Sequence, residues 1–324
     1  MGFNNLRIVF MGTPEFAVAS LQGLIAAGCN VVGVVTAPDK PAGRGQKIHE
    51  TDVKRFALTH PTIPILQPEK LKDPIFIENL HTLHADLFVV VAFRMLPEIV
   101  WSMPAKGTIN LHASLLPQYR GAAPINWAII QGENLTGVTT FFIEKEIDTG
   151  KVILTETVSI TETDNAGSLH DKLMNVGAGL LVKTVTAIAS GTFIPKDQLG
   201  KIQPEDLKTA PKIFKETCVI AWNSTVKVVY DFIRGLSPYP TAWTTLVHGE
   251  TKQHLTVKIY ETEMEVATHP HSPGTLFTDD KKFVKVAVSD GYLHLKSLQL
   301  EGKKRLGIEE FLRGFKNCTA YRVE

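Results

Sequence analysis

The chain has 324 residues, 44% hydrophobic and 21% charged, with a formal net charge of +1. Such a composition belongs to an ordinary globular protein with a sizeable core, and the length favours two domains over one. The near-neutral balance excludes a global electrostatic pull toward nucleic acid, so any such contact has to be local. Cys29, Cys218 and Cys318 are scattered and form no CxxC pair, which argues against a disulfide framework and a zinc site. No apolar run approaches a membrane span, and residues 1–7 lack the features of a secretory leader; a cytoplasmic location is expected.

Leu6–Met11 is a continuous apolar run, as in a strand buried on both faces. Gly12-Thr13-Pro14 breaks it and opens a helix-like stretch through Ala27. This turn lacks the G-x-G-x-x-G of a dinucleotide site, and no P-loop occurs elsewhere. Asn30–Thr36 predicts a second buried strand. The segment Pro38–Lys47 then carries Lys40, Arg44 and Lys47 among two prolines and two glycines. It is about twice as long as the usual strand-to-helix connection of roughly 2–6 residues. A long basic loop suits a phosphate-bearing substrate; on composition alone a solvated surface loop is an equal reading.

Helices are predicted over Val53–Thr59, Pro74–His84 and Pro97–Met103, a third buried strand over Leu87–Ala92, and a weaker fourth over Gly107–His112. The alternation predicts an α/β fold, a Rossmann-like, mostly parallel sheet with helices on both faces. The fourth strand ends in Asn110 and His112. Residues i and i+2 of a strand point to the same side, so carboxamide and imidazole would project together. An amide donor can stabilise a developing oxyanion, and histidine exchanges protons near neutral pH. Asp148, in Asp148-Thr149-Gly150, could orient the imidazole or support its charge. Together these residues are equipment for acyl transfer. Ser114 is close in sequence but lacks the strained elbow of a serine hydrolase.

Val138–Ile143 and Lys151–Ile160 predict an antiparallel extension of the sheet, and Asp164–Ser190 a long helix. Gly191–Ala210, with two prolines and two glycines, reads as a linker. Beyond it a helix is predicted over Thr225–Arg234. Alternation at Leu255–Ile259, Val284–Val288 and Leu293–Leu300 predicts a small OB-like β-barrel. Residues 1–190 are thus expected to form the catalytic domain, 191–210 the linker and 211–324 the barrel. The barrel region has only a mild basic bias, 16 Lys/Arg against 13 Asp/Glu. No spacing of histidines or acids recommends a metal.

Four stretches carry a resemblance: Arg7–Phe16, Pro38–Lys47, Asn110–Pro124 and Gly137 with Asp148–Gly150. Together they resemble the 10-formyltetrahydrofolate-dependent formyltransferase family, in its branch acting on methionyl-tRNA. The Asn-x-His…Asp set is shared across the wider family. The run Ser114–Pro124 and the appended barrel are more specific. The resemblance implies a cytoplasmic translation-initiation enzyme that moves a formyl group from 10-formyltetrahydrofolate, the donor substrate, to the α-amine of initiator methionyl-tRNA. It needs no metal, membrane or obligate protein partner.

The resemblance makes Asn110, His112 and Asp148 catalytic, and Phe93 and Ser114, Leu115, Leu116 and Pro117 the folate contacts. It makes Lys40, Arg44 and Lys47 tRNA contacts, to which the barrel adds others. Two positions depart from the pattern. Phe93-Arg94-Met95 stands where an aromatic residue is commonly followed by glycine, and Ala221 stands where an acidic residue is common in the Ile-x-Trp motif. Rival readings are a formyl transfer to a small amine, hydrolysis of the folate, and a catalytically silent RNA-binding protein.

Overall fold

The computed structural model describes residues 5–42, 47–198, 200 and 203–324. Packing divides the chain into two compact units. The first comprises Met1–Gly121, Leu135–Ser159 and His170–Thr209, and the second Ala122–Asn134, Ile160–Leu169 and Ala210–Glu324.

In chain order the elements begin with β1 (Arg7–Gly12), α1 (Glu15–Ala26) and β2 (Asn30–Val35). A short hairpin of β3 (Lys40–Ala42) and β4 (Lys47–His49) precedes α2 (Asp52–Ala57) and β5 (Ile65–Leu66). Next come α3 (Pro74–His81), β6 (Leu87–Val91), α4 (Glu98–Trp101), β7 (Thr108–His112), β8 (Arg120–Gly121) and α5 (Pro124–Ile130). They are followed by β9 (Leu135–Phe142), β10 (Val152–Ser159), α6 (Ala166–Ser190) and β11 (Thr209–Ala210).

The first unit is built on a seven-stranded sheet in the order β10-β9-β7-β6-β1-β2-β5. The strands from β5 to β7 are parallel; β9 and β10 add on antiparallel. The buried runs predicted from residues 6, 30 and 87 onward are therefore the central strands, apolar because both faces are covered. The chain moves from β1 outward to β2 and β5, then returns to the opposite side of β1 for β6. Such a reversal opens a crevice at the carboxyl ends of the strands, the edge that also carries the end of β7.

Helix α6 is long and apolar enough to span a bilayer by length and composition, with a mean hydropathy of 1.4. Its buried positions Leu169, Leu173, Leu180, Val185 and Ile188 recur at helical spacing and join the core. Asn165 accepts the backbone N–H of Ser168 at 2.9 Å, and the Ser168 hydroxyl receives the N–H of Asn165 at 3.1 Å. This reciprocal cap starts the helix. Gly177 lets α6 approach β7: a Cβ there would lie 2.9 Å from Leu111 Cδ2. Leu111 thus faces α6, which turns Asn110 and His112 to the other side of the sheet.

One predicted helix is shorter than expected, and two short elements lie where none was predicted. Helix α4 covers only Glu98–Trp101 of the predicted Pro97–Met103, because Pro104 disfavours the helical region for the residue before it. Strand β5 has two residues, too few for a periodic signal. Helix α5 lies just beyond the irregular run after His112; its seven residues, PINWAII, carry almost no polar face.

The second unit contains α7 (Val226–Leu236), β12 (Ala242–His248), β13 (His254–Val266), β14 (Leu276–Thr278), β15 (Val284–Val288) and β16 (Gly291–Leu300). It ends with β17 (Leu306–Gly307), α8 (Ile308–Gly314) and β18 (Tyr321–Val323). The sheet runs β14-β15-β16-β13-β12-β18, antiparallel throughout, with β17 on β16. Its two ends meet where the Val323 N–H donates to the Gly274 carbonyl at 3.1 Å, nearly closing a barrel of the OB-like kind. Inward residues such as Val257, Ile259, Val286, Leu293 and Leu295 form its core with Ile233 and Leu236 of α7.

Two segments from earlier in the chain are built into this unit. Asn126 Nδ2 donates to the Gly235 carbonyl at 2.7 Å, and Arg234 donates to the carbonyls of Thr161 and Asp164 at 3.1 and 2.7 Å. Ile220 and Trp222 are buried on either side of exposed Ala221, so the departing position of that motif points away from the barrel core. All three cysteines are free and buried. Burial pushes the Cys318 thiol up to about 11, which leaves it protonated at neutral pH.

Candidate active site

Strand β7 presents Asn110 in register with Val90 of β6 and Phe141 of β9. His112 follows on the same side, 6% exposed, its ring edge-on to Phe141 with centroids 6.5 Å apart. Nε2 of His112 lies 2.9 Å from the carbonyl oxygen of Tyr119. A carbonyl only accepts, so this nitrogen carries a proton. Nδ1 faces Asp148 Oδ2 at 3.8 Å, beyond direct hydrogen-bond reach. The ring is thus flanked by acceptors on both edges, an arrangement that suits an imidazolium.

Asp148 reaches this position through unusual backbone geometry. Its φ is +55°, a left-handed conformation that few non-glycine residues adopt. Its Oδ2 also accepts the backbone N–H of Gly121 at 2.9 Å. Gly150 allows the loop to close, since a Cβ there would stand 1.7 Å from the Phe142 carbonyl oxygen. The structure therefore brings Asn110, His112 and Asp148 to one edge of the first unit. Among the described residues nothing hydrogen-bonds the Asn110 carboxamide, leaving it available to a ligand.

The stretch after β7 is pinned to β9. Thr139 Oγ1 donates to the Ser114 carbonyl at 2.7 Å and receives the Leu116 N–H at 3.2 Å. The Ser114 hydroxyl is fully buried and donates to the Gln118 carbonyl at 2.7 Å. It is spent inside the turn and no nucleophile. Leu116 and Pro117 are buried and Leu115 is half-buried. Gly137 of β9 makes room for Leu115, whose Cδ2 would be 2.6 Å from a Cβ at that position.

Phe93 is half-buried just past β6, on the same sheet edge as His112. Ala92 before it has a φ of +46°, which directs the chain out of the sheet. Arg94 reaches along that edge to the segment after β5. Its guanidinium donates to the carbonyls of Pro68 and, at 2.8 Å, Glu69, and lies 5.6 Å from the Phe93 ring centroid. Burial pushes its pKa down. The departing residue thus braces a neighbouring loop beside Phe93.

The chain leaves β2 at the same carboxyl edge toward Asp39 and Lys40. Lys40 is exposed; Lys47 lies in β4, and Arg44 lies outside the described residues. The base of the loop is anchored by Asp39, which pairs with Lys54 and receives Gln67 Nε2 at 2.8 Å. Those contacts hold the Asp39 carboxyl below the usual carboxylate range. The groups that sequence reading missed are the Tyr119 carbonyl and the Gly121 amide, since backbone partners leave no mark in side-chain patterns.

The formyl transferase family model matches residues 6–185. A second model, for the formyl transferase C-terminal domain, matches residues 212–316. A methionyl-tRNA formyltransferase of Bacteroides fragilis is 56% identical over 322 residues, 99% of this chain and 98% of the relative. One from Flavobacterium johnsoniae is 51% identical over 309 residues, 95% of this chain and 96% of the relative. Among solved structures, the sugar 3N-formyl transferase WlaRD superposes with a TM-score of 0.62 at 19% identity, covering 92% of this chain and 99% of WlaRD. HypX from Aquifex aeolicus in complex with tetrahydrofolic acid gives 0.60 at 18% identity, covering 95% of this chain and 47% of that longer one. These two share the fold. With both domain models matched and relatives more than half identical along almost its whole length, the chain belongs to the formyl transferase family.

Proposed function

We propose that this protein transfers the formyl group of 10-formyltetrahydrofolate to the α-amine of initiator methionyl-tRNA, in the cytoplasm, to give N-formylmethionyl-tRNA. The observation that carries this reading is the unpartnered Asn110 carboxamide beside His112, itself held between the Tyr119 carbonyl and Asp148. The acceptor rests on the 56% identity to a relative named for that reaction over nearly the full length of both chains. The donor rests on the resemblance of the Asn110–Pro124 run and Asp148-Thr149-Gly150 to 10-formyltetrahydrofolate-dependent enzymes.

The neutral amine attacks the formyl carbon, and the carbonyl π electrons move onto oxygen to give a tetrahedral oxyanion. Asn110 donates to that oxygen, and protonated His112 supplies positive charge beside it. The attacking nitrogen, cationic once bonded to carbon, gives up a proton to solvent; collapse then re-forms the C=O bond and breaks the bond to N10 of the folate. That nitrogen is a poor leaving group as an anion and must be protonated as it departs. Because Nε2–H of His112 is held by Tyr119, Nδ1 is the nitrogen that gives up a proton, directly or through water. Asp148 stabilises the charged ring until it does. Half-buried Phe93 and Leu115 offer apolar surface to the flat donor ring. Buried Ser114, Leu116 and Pro117 meet it through their backbone.

Incubation with 10-formyltetrahydrofolate and initiator methionyl-tRNA tests this: formylated tRNA accumulates over many turnovers, and its absence would refute the reading. Lys40, Arg44 and Lys47 serve the acceptor end of the tRNA. Arg44→Ala is expected to raise KM for methionyl-tRNA about tenfold with kcat for chemistry nearly unchanged, since a phosphate contact contributes mostly to binding. Unaltered kinetics with methionyl-tRNA would remove the loop from the acceptor site.

A further inference from the structure

Gln198 lies in the aperiodic segment after α6, yet both ends of its carboxamide are engaged. Oε1 accepts from Arg120 Nε at 3.1 Å and Nη2 at 2.7 Å. Nε2 donates to the backbone carbonyls of Asp148 at 2.9 Å and Gly150 at 2.7 Å. A guanidinium only donates and carbonyls only accept, so the amide has one workable orientation. The Arg120 charge also polarises the amide toward stronger donation. Those two carbonyls flank Thr149, in the loop where Asp148 is held at its left-handed φ.

The same segment is anchored at both ends of its course. Lys196 and Val152 exchange backbone hydrogen bonds at 2.8 and 2.9 Å, fixing the segment beside β10. Further on, Gln118 Oε1 receives the Lys208 N–H at 2.7 Å, and the Tyr119 N–H donates to the Lys208 carbonyl at 2.6 Å. One stretch of chain therefore braces the residues on both edges of the His112 ring. It holds the Asp148 loop on the Nδ1 side and the Tyr119 peptide on the Nε2 side.

We infer that Gln198 is a positioning residue for formyl transfer: its carboxamide, steadied by Arg120, holds the 148–150 backbone so that the Asp148 carboxylate stays beside His112 Nδ1. This rests on the catalytic reading of Asp148 given above. Its consequence is kinetic, because an error of about 1 Å in a catalytic group costs on the order of 100-fold, whereas both ends of the Gln198 carboxamide are already engaged within the chain.

The test is a double-mutant cycle on the full-length protein with 10-formyltetrahydrofolate and methionyl-tRNA. Gln198→Met keeps the side-chain length and removes every hydrogen bond. Gln198→Glu keeps the acceptor for Arg120 and sets an anionic oxygen, unable to donate, against the two carbonyls. Both are expected to lower kcat at least tenfold with either KM within about threefold. In an Asp148→Asn background, Gln198→Met is expected to cost less than a further threefold, because the group it positions no longer acts. Should Gln198→Met fail to fold, Gln198→Glu carries the comparison in both backgrounds. Wild-type kcat in either folded Gln198 variant, or additive losses in the double variant, would overturn the positioning role. If Asp148→Asn itself keeps wild-type kcat, the reading of Asp148 fails and takes this inference with it.

Discussion

His112→Ala is expected to lower kcat by about 100- to 10,000-fold while leaving KM for both substrates within a few-fold. The ring is buried, edge-on to Phe141, and tied to the Tyr119 carbonyl; little of it is left to bind substrate. Its contribution arises when the oxyanion forms and when N10 departs, and an interaction confined to the transition state appears in kcat. Asp148→Asn is expected to cost less, since the new amide still offers an oxygen to the Gly121 N–H and loses only the charge facing Nδ1. Steady-state kinetics with thermal melts of each variant checks both. A folded His112→Ala enzyme within a few-fold of wild-type kcat would remove the imidazole from the chemistry.

Gly150→Ala is expected to damage fold and activity together. A Cβ would meet the Phe142 carbonyl oxygen at 1.7 Å and its carbon at 2.9 Å, both backbone atoms with no rotamer to yield. Strands β9 and β10 must part where the Phe142 N–H bonds the Lys151 carbonyl. Overpacking costs about 1–3 kcal/mol and more where backbone must move, a fall in melting temperature of roughly 3–10 °C. The displaced loop also carries Asp148, so kcat should drop about 100-fold in the fraction that remains folded. A melting temperature within 2 °C of wild type, with normal turnover, would show that the loop has slack the structure does not.

The central sheet was legible because its strands are apolar throughout, a pattern that buried parallel strands produce and amphipathic helices do not. The shared direction of Asn110 and His112 followed from strand periodicity, and Leu111 against α6 accounts for which way they turn. Less was readable where structure depends on close approach. Helix α5 is seven residues with one polar side chain, held by Asn126 on Gly235. The segments 122–134 and 160–169 join the second unit through contacts distant in sequence, which periodicity does not encode. The site was legible as three side chains but not as an assembly. The Tyr119 carbonyl, the Gly121 amide and the αL backbone of Asp148 belong to the main chain. Gln198 sat in a stretch whose lack of pattern concealed its hydrogen bonds.

The most direct measurement of acceptor preference compares kcat/KM for initiator methionyl-tRNA with that for small amines of the kinds rival formyl transfers use, an amino sugar nucleotide and glycinamide ribonucleotide, at saturating 10-formyltetrahydrofolate. A preference for methionyl-tRNA of at least about 1,000-fold is expected if, as proposed, the Lys40–Lys47 loop and the second unit engage the tRNA. Equal or faster transfer to a small amine, or release of formate without formylated tRNA, would contradict it.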